Sequence, residues 1–320
     1  MGQSDKWSLR DYFDWYSFRV LEHLPIAWVS GIGAAAAWAF TIYVTYRDLS
    51  WWKHMLKTIT EITGDTNYKR LHQTRVKSIE NIGRIMVEYA INKRVLDTSR
   101  LRISGVENLQ NLKSPTVFVG AHVGNWETAG IALLRNGIPF VGVYEPAQLA
   151  SHRKIAQITR QQLMSRIRGA RLMATSRTTA RELAQAVDGG ENLLIYVDEY
   201  VDDLVWCPAL GRQLPATGNR ILAARLALRA GGDVVPVRTR RGAGTTFEVT
   251  IESPLRFEPT GDKKHDARVL GDAISSAVES WVLEDIDQWY QLPYLIMGKP
   301  FSKSSGKTFP ANSNVAEPKK

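Results

Sequence analysis

The chain has 320 residues, a single cysteine and a formal net charge of +9. Hydrophobic residues make up 44% and charged residues 23%, which excludes a wholly disordered or fibrous chain and allows one large core or two smaller ones. The lone Cys207 excludes an intrachain disulfide and a cysteine-based zinc cluster. The positive balance suits an anionic membrane surface, nucleic acid or an acidic protein partner.

From Leu24 to Tyr46 the sequence reads LPIAWVSGIGAAAAWAFTIYVTY, with no charged residue. At helical rise this run spans roughly 34 Å, enough to cross a hydrocarbon core of about 30 Å. Trp28, Trp38, Tyr43, Tyr46, Trp51 and Trp52 lie in or beside it, and the outer ones suit an interfacial belt. The alternative is a buried, alanine-rich core helix; length and lack of charge favour the membrane. A cleaved signal peptide fits less well, because the run is too long and Asp5, Asp11, Asp14 and Glu22 precede it. Lys6, Arg10 and Arg19 before the run nearly balance Arg47, Lys53 and Lys57 after it, so orientation stays open. So does the choice between crossing the membrane and lying in it. Residues 1–50 are therefore expected to form a membrane anchor.

Residues 51–95 read as helical, with Val76, Ile79, Ile82, Gly83, Met86, Val87 and Ala90 at three- and four-residue steps. Beyond residue 100 strands and helices alternate. Strands are expected at 116–122, 139–144, 170–175, 192–198, 233–241 and 246–257. Helices are expected at 125–137, about 150–168, 178–190, 220–232 and 265–290. The segment 301–320 has few large apolar residues and is expected to be a disordered tail, leaving 51–300 as the main domain. The alternation predicts an α/β fold, a largely parallel sheet flanked by helices, behind an N-terminal membrane helix. Such sheets bind ligands at the carboxyl ends of their strands. Three informative positions fall there: His122, the 144–146 turn and Asp198-Glu199.

The segment GAHVGNWETAG (120–130) carries the sharpest chemistry. A histidine at a strand end can take a proton from a hydroxyl, and a carboxylate such as Glu127 can orient its imidazole. Gly120 and Gly124 leave room for backbone near a substrate, and Asn125 is positioned to cap the next helix. The plainer alternative makes His122 a hydrogen-bonded core residue and Glu127 a surface charge. Between Glu145 and Glu182 there is no acidic residue, while Arg153, Lys154, Arg160, Arg166, Arg168, Arg171, Arg177 and Arg181 fall there. That stretch reads as a solvated basic helix, or as a surface for lipid headgroups or an acidic carrier protein. No recognition motif accompanies the charge, so nucleic acid is not expected as a partner. Asp198, Glu199, Asp202 and Asp203 have no histidine near them in sequence and read as a solvated loop rather than a metal site. Gly31-x-Gly33 lies in the apolar run and is no nucleotide loop, and no Gly-x-Ser-x-Gly elbow occurs.

His-x4-Glu after a strand resembles the first block of the glycerolipid and lysophospholipid acyltransferase superfamily. In its fuller form, HVGNWE (122–127), it resembles the lipid A lauroyl and myristoyl acyltransferases and the related phosphatidylinositol mannoside acyltransferases. Later segments keep that family's order: VYEP (143–146), SRIRGARLMATSR (165–177), IYVDE (195–199), LGRQLPATGNRILAARLALRAGGDVVPV (210–237) and IDQWYQL (286–292). The resemblance covers roughly 25–300.

It implies His122 as general base with Glu127 as its partner. It further implies Asn125, Arg166, Arg177 and Asp198 at the substrate site, with Asp198 supporting it. The implied reaction carries a fatty acyl chain from acyl carrier protein or acyl-CoA to a glycolipid hydroxyl, with no cofactor and no metal. Arg166 or backbone amides near Gly124 would meet the oxyanion. The implied partners are membrane lipids, a glycolipid acceptor and acyl carrier protein. The implied location is the bacterial inner membrane, with the active site on its cytoplasmic surface. A glycerophospholipid acyltransferase and a catalytically silent lipid-binding protein are the rival readings. Three departures bear on the acceptor. Glu145 stands where the family usually has arginine, Gln291-Leu292-Pro293 replaces a basic signature, and the glycerol-phosphate Glu-Gly-Thr-Arg block is absent.

Overall fold

The computed structural model describes residues 7–299 and 301; apart from Phe301, the expected tail lies outside the described residues. Helix α1 (Leu9–Leu21) opens on a reciprocal cap, in which Ser8 and Asp11 satisfy each other's backbone amides. Helix α2 (Ile26–Tyr46) follows Pro25 and matches the apolar run. The helical stretch read over 51–95 is three helices: α3 (Ser50–Thr63), α4 (Tyr68–Glu88) and α5 (Asn92–Leu96). The first break has a local cause. Gly64 takes the left-handed conformation at φ 69°, and Asn67 then caps α4 through Arg70 N–H.

The α/β part runs β1 (Leu101–Ser104), β2 (Val117–Gly120), α6 (Glu127–Arg135), β3 (Val141–Tyr144), α7 (Ala150–Met164), β4 (Arg171–Ala174), α8 (Thr179–Asp188) and β5 (Leu193–Tyr196). A small hairpin follows, β6 (Tyr200–Val201) with β7 (Leu204–Val205). The chain closes with α9 (Asn219–Ala230), β8 (Val234–Arg241), β9 (Phe247–Ile251) and α10 (Lys263–Glu284). The last helix thus ends before the expected 290, and a 3-10 turn at Ile286–Gln288 carries Trp289 and Tyr290 back toward β2. Strand β1 and the hairpin escaped the sequence reading; the hairpin strands, at two residues each, are too short for a periodic signal.

The sheet has seven strands in the order β1-β9-β8-β2-β5-β3-β4. All neighbours are parallel except β8 and β9. Side-chain alternation splits the core across its two faces. Val117 and Val119 of β2 join α8, α9 and α10 on one side, while Phe118 joins α6 and α7 on the other. The chain leaves β2 toward β3 but later returns through β5 and passes to β8, so β2 and β5 lie side by side where the winding reverses. Their register pairs Val119 with Ile195 and Gly120 with Tyr196. Two residues further on, His122 and Asp198 emerge together from adjacent strand ends.

Helix α2 packs along α4 through small residues. A Cβ on Gly33 would lie 2.5 Å from the Gly83 carbonyl, and one on Gly83 would lie 2.6 Å from the Ala37 Cβ. Arg84 reaches across to the Ser30 carbonyl and hydroxyl while pairing with Glu80 at 2.6 Å. The expected anchor segment is therefore packed against the body of the protein along its length.

Candidate active site

At the carboxyl ends of β2, β3 and β5 opens a cleft of about 420 Å³. The His122 side chain lies on its wall, one quarter exposed. Its Nδ1 is 2.8 Å from Asp198 Oδ1, and its backbone N–H donates to Asp198 Oδ2 at 2.9 Å. Asp198 is fully buried, and its Oδ2 also accepts from Trp289 Nε1 at 2.9 Å. The His122 carbonyl accepts from Tyr290 N–H at 2.8 Å. A carboxylate only accepts, so in the neutral ring the tautomer this contact selects has the proton on Nδ1 and the lone pair on Nε2. Nε2 makes no hydrogen bond among the described residues, and the ring is held against Tyr196 (centroids 4.8 Å apart) and edge-on to Trp126 (5.0 Å).

The partner of the imidazole is thus Asp198 rather than Glu127. Helix α6 begins at Glu127 and turns that carboxylate toward α4 and α7 instead. Glu127 Oε1 accepts from the Tyr89 hydroxyl at 2.8 Å and pairs with Arg160 at 3.2 Å. Burial pushes the Tyr89 phenol well above its ordinary range, so it remains a donor. The Arg160 guanidinium sits 4.7 Å from the Tyr144 ring centroid and lines the cleft. Behind this ion pair lies a narrow apolar slot bordered by Gly130, Phe140, Leu163 and Leu172.

Other expected site residues fall elsewhere. Arg166 follows the end of α7 on the surface, 3.1 Å from Asp97, and Arg177 is exposed; neither lines the cleft. The inward face of α7 carries Thr159, Arg160 and Leu163, and Arg166 lies past its last turn. Of the basic residues on α7, Arg160 lines the cleft while Arg153 and Lys154 have local partners. Arg153 donates to its own turn's carbonyls at Ala147 and Gln148, and Lys154 lies over the Trp15 and Trp7 rings.

Asn125 is not a side-chain cap and does not reach the cleft. It is buried, and its amide donates to Glu88 and Asn92. Glu88 also holds Arg241 through two bonds of 2.7 Å, which ties the loop after β2 to α4 and to the end of β8. The Gly124 N–H donates to the Gln288 carbonyl at 3.0 Å and is not available to an oxyanion. Gly124 itself has φ 57°, and a Cβ there would lie 2.8 Å from Arg241 N. Gly124→Ala is expected to cost roughly 2–4 kcal/mol of stability, read in urea melts; a loss of a few tenths would show that the loop can shift.

The four carboxylates after β5 go separate ways. Asp198 turns inward, while Asp202 and Asp203 form the hairpin turn at φ 52° and 58°. Glu199 lines the cleft; its Oε1 accepts from Asn219 N–H at 2.6 Å, and its Oε2 is shielded without a partner. Burial pushes this carboxyl up to about 8, against the pull of that amide. Between about pH 4.5 and 8 the folded state therefore holds a proton that the unfolded chain has released. Stability falls as pH rises through that window, by up to about 1.4 kcal/mol per pH unit. Glu199→Gln is expected to gain on the parent as pH rises from about 5 to 8 in urea melts. An equal gap at both ends would mean that the carboxyl is ionised throughout.

The histidine, its carboxylate and the cleft residues Tyr196 and Tyr290 come from three separate segments, since Tyr196 and Asp198 share one, and only the first lies inside the His-x4-Glu pattern. Tyr89, Arg160 and Glu199 join them from α4, α7 and the turn after β5. Tyr290 lies in the segment IDQWYQL that carried the resemblance, whereas Tyr89 has no motif to mark it.

A model of the bacterial lipid A biosynthesis acyltransferase family matches residues 7–294, and the chain belongs to that family. It is an acyl-transferring enzyme of this class. Among solved structures, the 1-acyl-sn-glycerophosphate (LPA) acyltransferase PlsC from Thermotoga maritima is similar over 78% of this chain and 97% of that one, at 10% identity and a TM-score of 0.32. No curated protein matches.

Proposed function

We propose that the protein transfers a fatty acyl chain from a thioester donor, acyl carrier protein or acyl-CoA, to a hydroxyl of a lipid A-like glycolipid at the cytoplasmic face of the bacterial inner membrane. His122 Nε2 takes the proton of the acceptor hydroxyl as its oxygen attacks the thioester carbonyl. The carbon–sulfur bond of the tetrahedral intermediate then breaks, and His122 returns the proton to the departing thiolate. Asp198 holds the ring in the tautomer this requires and stabilises its cationic form. Arg160, the guanidinium in the cleft, meets the negative charge that develops. Glu127 and Tyr89 hold Arg160 in place. The apolar slot behind that ion pair suits the end of a hydrocarbon chain.

The observation that carries this reading is the His122–Asp198 pair, with Nε2 unbonded on the wall of the cleft. Lipid mass spectrometry of a deletion strain tests it. A glycolipid lacking one acyl chain is expected, restored by the parental gene and not by His122→Ala. An unchanged glycolipid profile with an altered glycerophospholipid profile would move the acceptor to the smaller class. Parallel assays with carrier-bound and CoA-bound donor assign the donor.

A further inference from the structure

Four neighbouring strands deliver a row of side chains to the cleft. Strands β2, β5, β3 and β4 are adjacent in that order, and His122, Glu199, Glu145 and Thr175 follow them. All four residues line the cleft. The row begins at the imidazole and continues into two carboxyl groups that the proposed chemistry does not use. Glu145 is exposed in the turn after β3, where its Oε2 accepts from the Thr175 hydroxyl.

The groups that could hold a phosphate in this cleft are already occupied by carboxyl groups of the protein. Among the described residues that line it, Arg160 is the one permanent cation, and Glu127 pairs with it at 3.2 Å. In the proposed reaction the same guanidinium meets the charge on the reacting carbonyl. The second group is the N-terminus of α9, the kind of helix end that binds anions through its free amides. There Asn219 N–H donates to Glu199 Oε1 at 2.6 Å, which fills that position. Arg220 lies one residue further on but gives its guanidinium to Asp272 and to the Pro215 carbonyl. Burial raises Glu199 to about 8 although the Asn219 amide and Arg220 pull the other way, so this wall holds even its own negative charge poorly. A phosphate, at about −1.5 to −2, would meet the same deficit, with the Glu145 charge added at the mouth.

The remaining lining suits a neutral ring. Trp126, Tyr196, Tyr200, Trp206 and Tyr290 offer amphipathic faces to the C–H side of a sugar, and the Glu145 carboxylate accepts from hydroxyls. We infer that the sugar entering the cleft beside the reacting hydroxyl carries no phosphate: the site takes a neutral, hydroxyl-bearing ring and rejects an anionic one. Glu145 is the residue that sets this selectivity.

The inference rests on the proposed glycolipid acceptor, and a binding measurement keeps the two separable. The probe is a synthetic acylated diglucosamine with free hydroxyls, prepared unphosphorylated and as its phosphate monoester in the same detergent micelles. Occupancy of the cleft in the full-length protein is read as protection of His122 from diethyl pyrocarbonate, resolved by mass spectrometry, with the exposed His152 as the internal reference. The unphosphorylated lipid is expected to bind about tenfold or more tighter than the monoester at low salt, and added salt should narrow the gap. Glu145→Arg places a cation at an exposed position of the mouth and should erase or reverse the preference. Equal or tighter binding of the monoester to the parent would overturn the inference. So would protection by neither lipid, or a preference that Glu145→Arg leaves unchanged. Transfer to both lipids is assayed separately; selective binding without transfer would count against the acyl-transfer reading and leave the selectivity standing.

Discussion

His122→Ala is expected to lower the rate of acyl transfer by about 10²–10⁴-fold, the usual worth of a positioned general base. The loss should fall on kcat. The ring contacts Asp198, Trp126, Tyr196 and Tyr290 and leaves Nε2 unbonded on the cleft wall, where the proposed reaction needs a base. The measurement is thiol release from purified enzyme, with a melting curve of the same sample. Truncation leaves Asp198 Oδ1 without its partner, and the curve separates that structural cost from the chemical one. Near-parental turnover by the folded variant would remove His122 from the chemistry.

Asp198→Asn is expected to cost about 10³-fold through the tautomer rather than through lost charge alone. Oδ2 receives two N–H donors, from the His122 backbone and from Trp289. An amide nitrogen placed there would face both donors. Asn therefore turns its NH₂ toward the imidazole, which must then accept at Nδ1 and protonate Nε2. The nitrogen at the cleft can no longer take a proton. Combining this change with His122→Ala should cost little more than either alone, since the two residues act as a unit. A double variant slower by the product of both factors would show that Asp198 acts independently of His122. Glu127→Gln gives the contrast. It acts on Arg160 and Tyr89 and should leave the tautomer of His122 unchanged.

Much of this protein was legible in its sequence because the deciding forces are local. The lack of charge from Leu24 to Tyr46 produced a long apolar helix, and the alternation after residue 100 produced a largely parallel sheet. His122 was marked by its place after a strand, and HVGNWE pointed to the acyltransferase family whose model matches residues 7–294. The partners of these residues were not legible. Glu127 is five positions from His122 and Asp198 is seventy-six, yet the register of β2 with β5 delivers Asp198 to the imidazole. Its place in the first turn of α6 turns Glu127 to Tyr89 and Arg160 instead, both more than thirty positions away in the chain. In the same way a row of arginines in sequence became one cleft residue, Arg160, and several surface ones, because α7 shows the cleft only one face. The sequence by itself determined which segments are apolar and which residues can do acid–base chemistry. Strand order, strand register and the packing of α2 on α4 decided which of those residues meet, since contacts far apart in the chain are set by burial on both faces of a sheet and not by spacing.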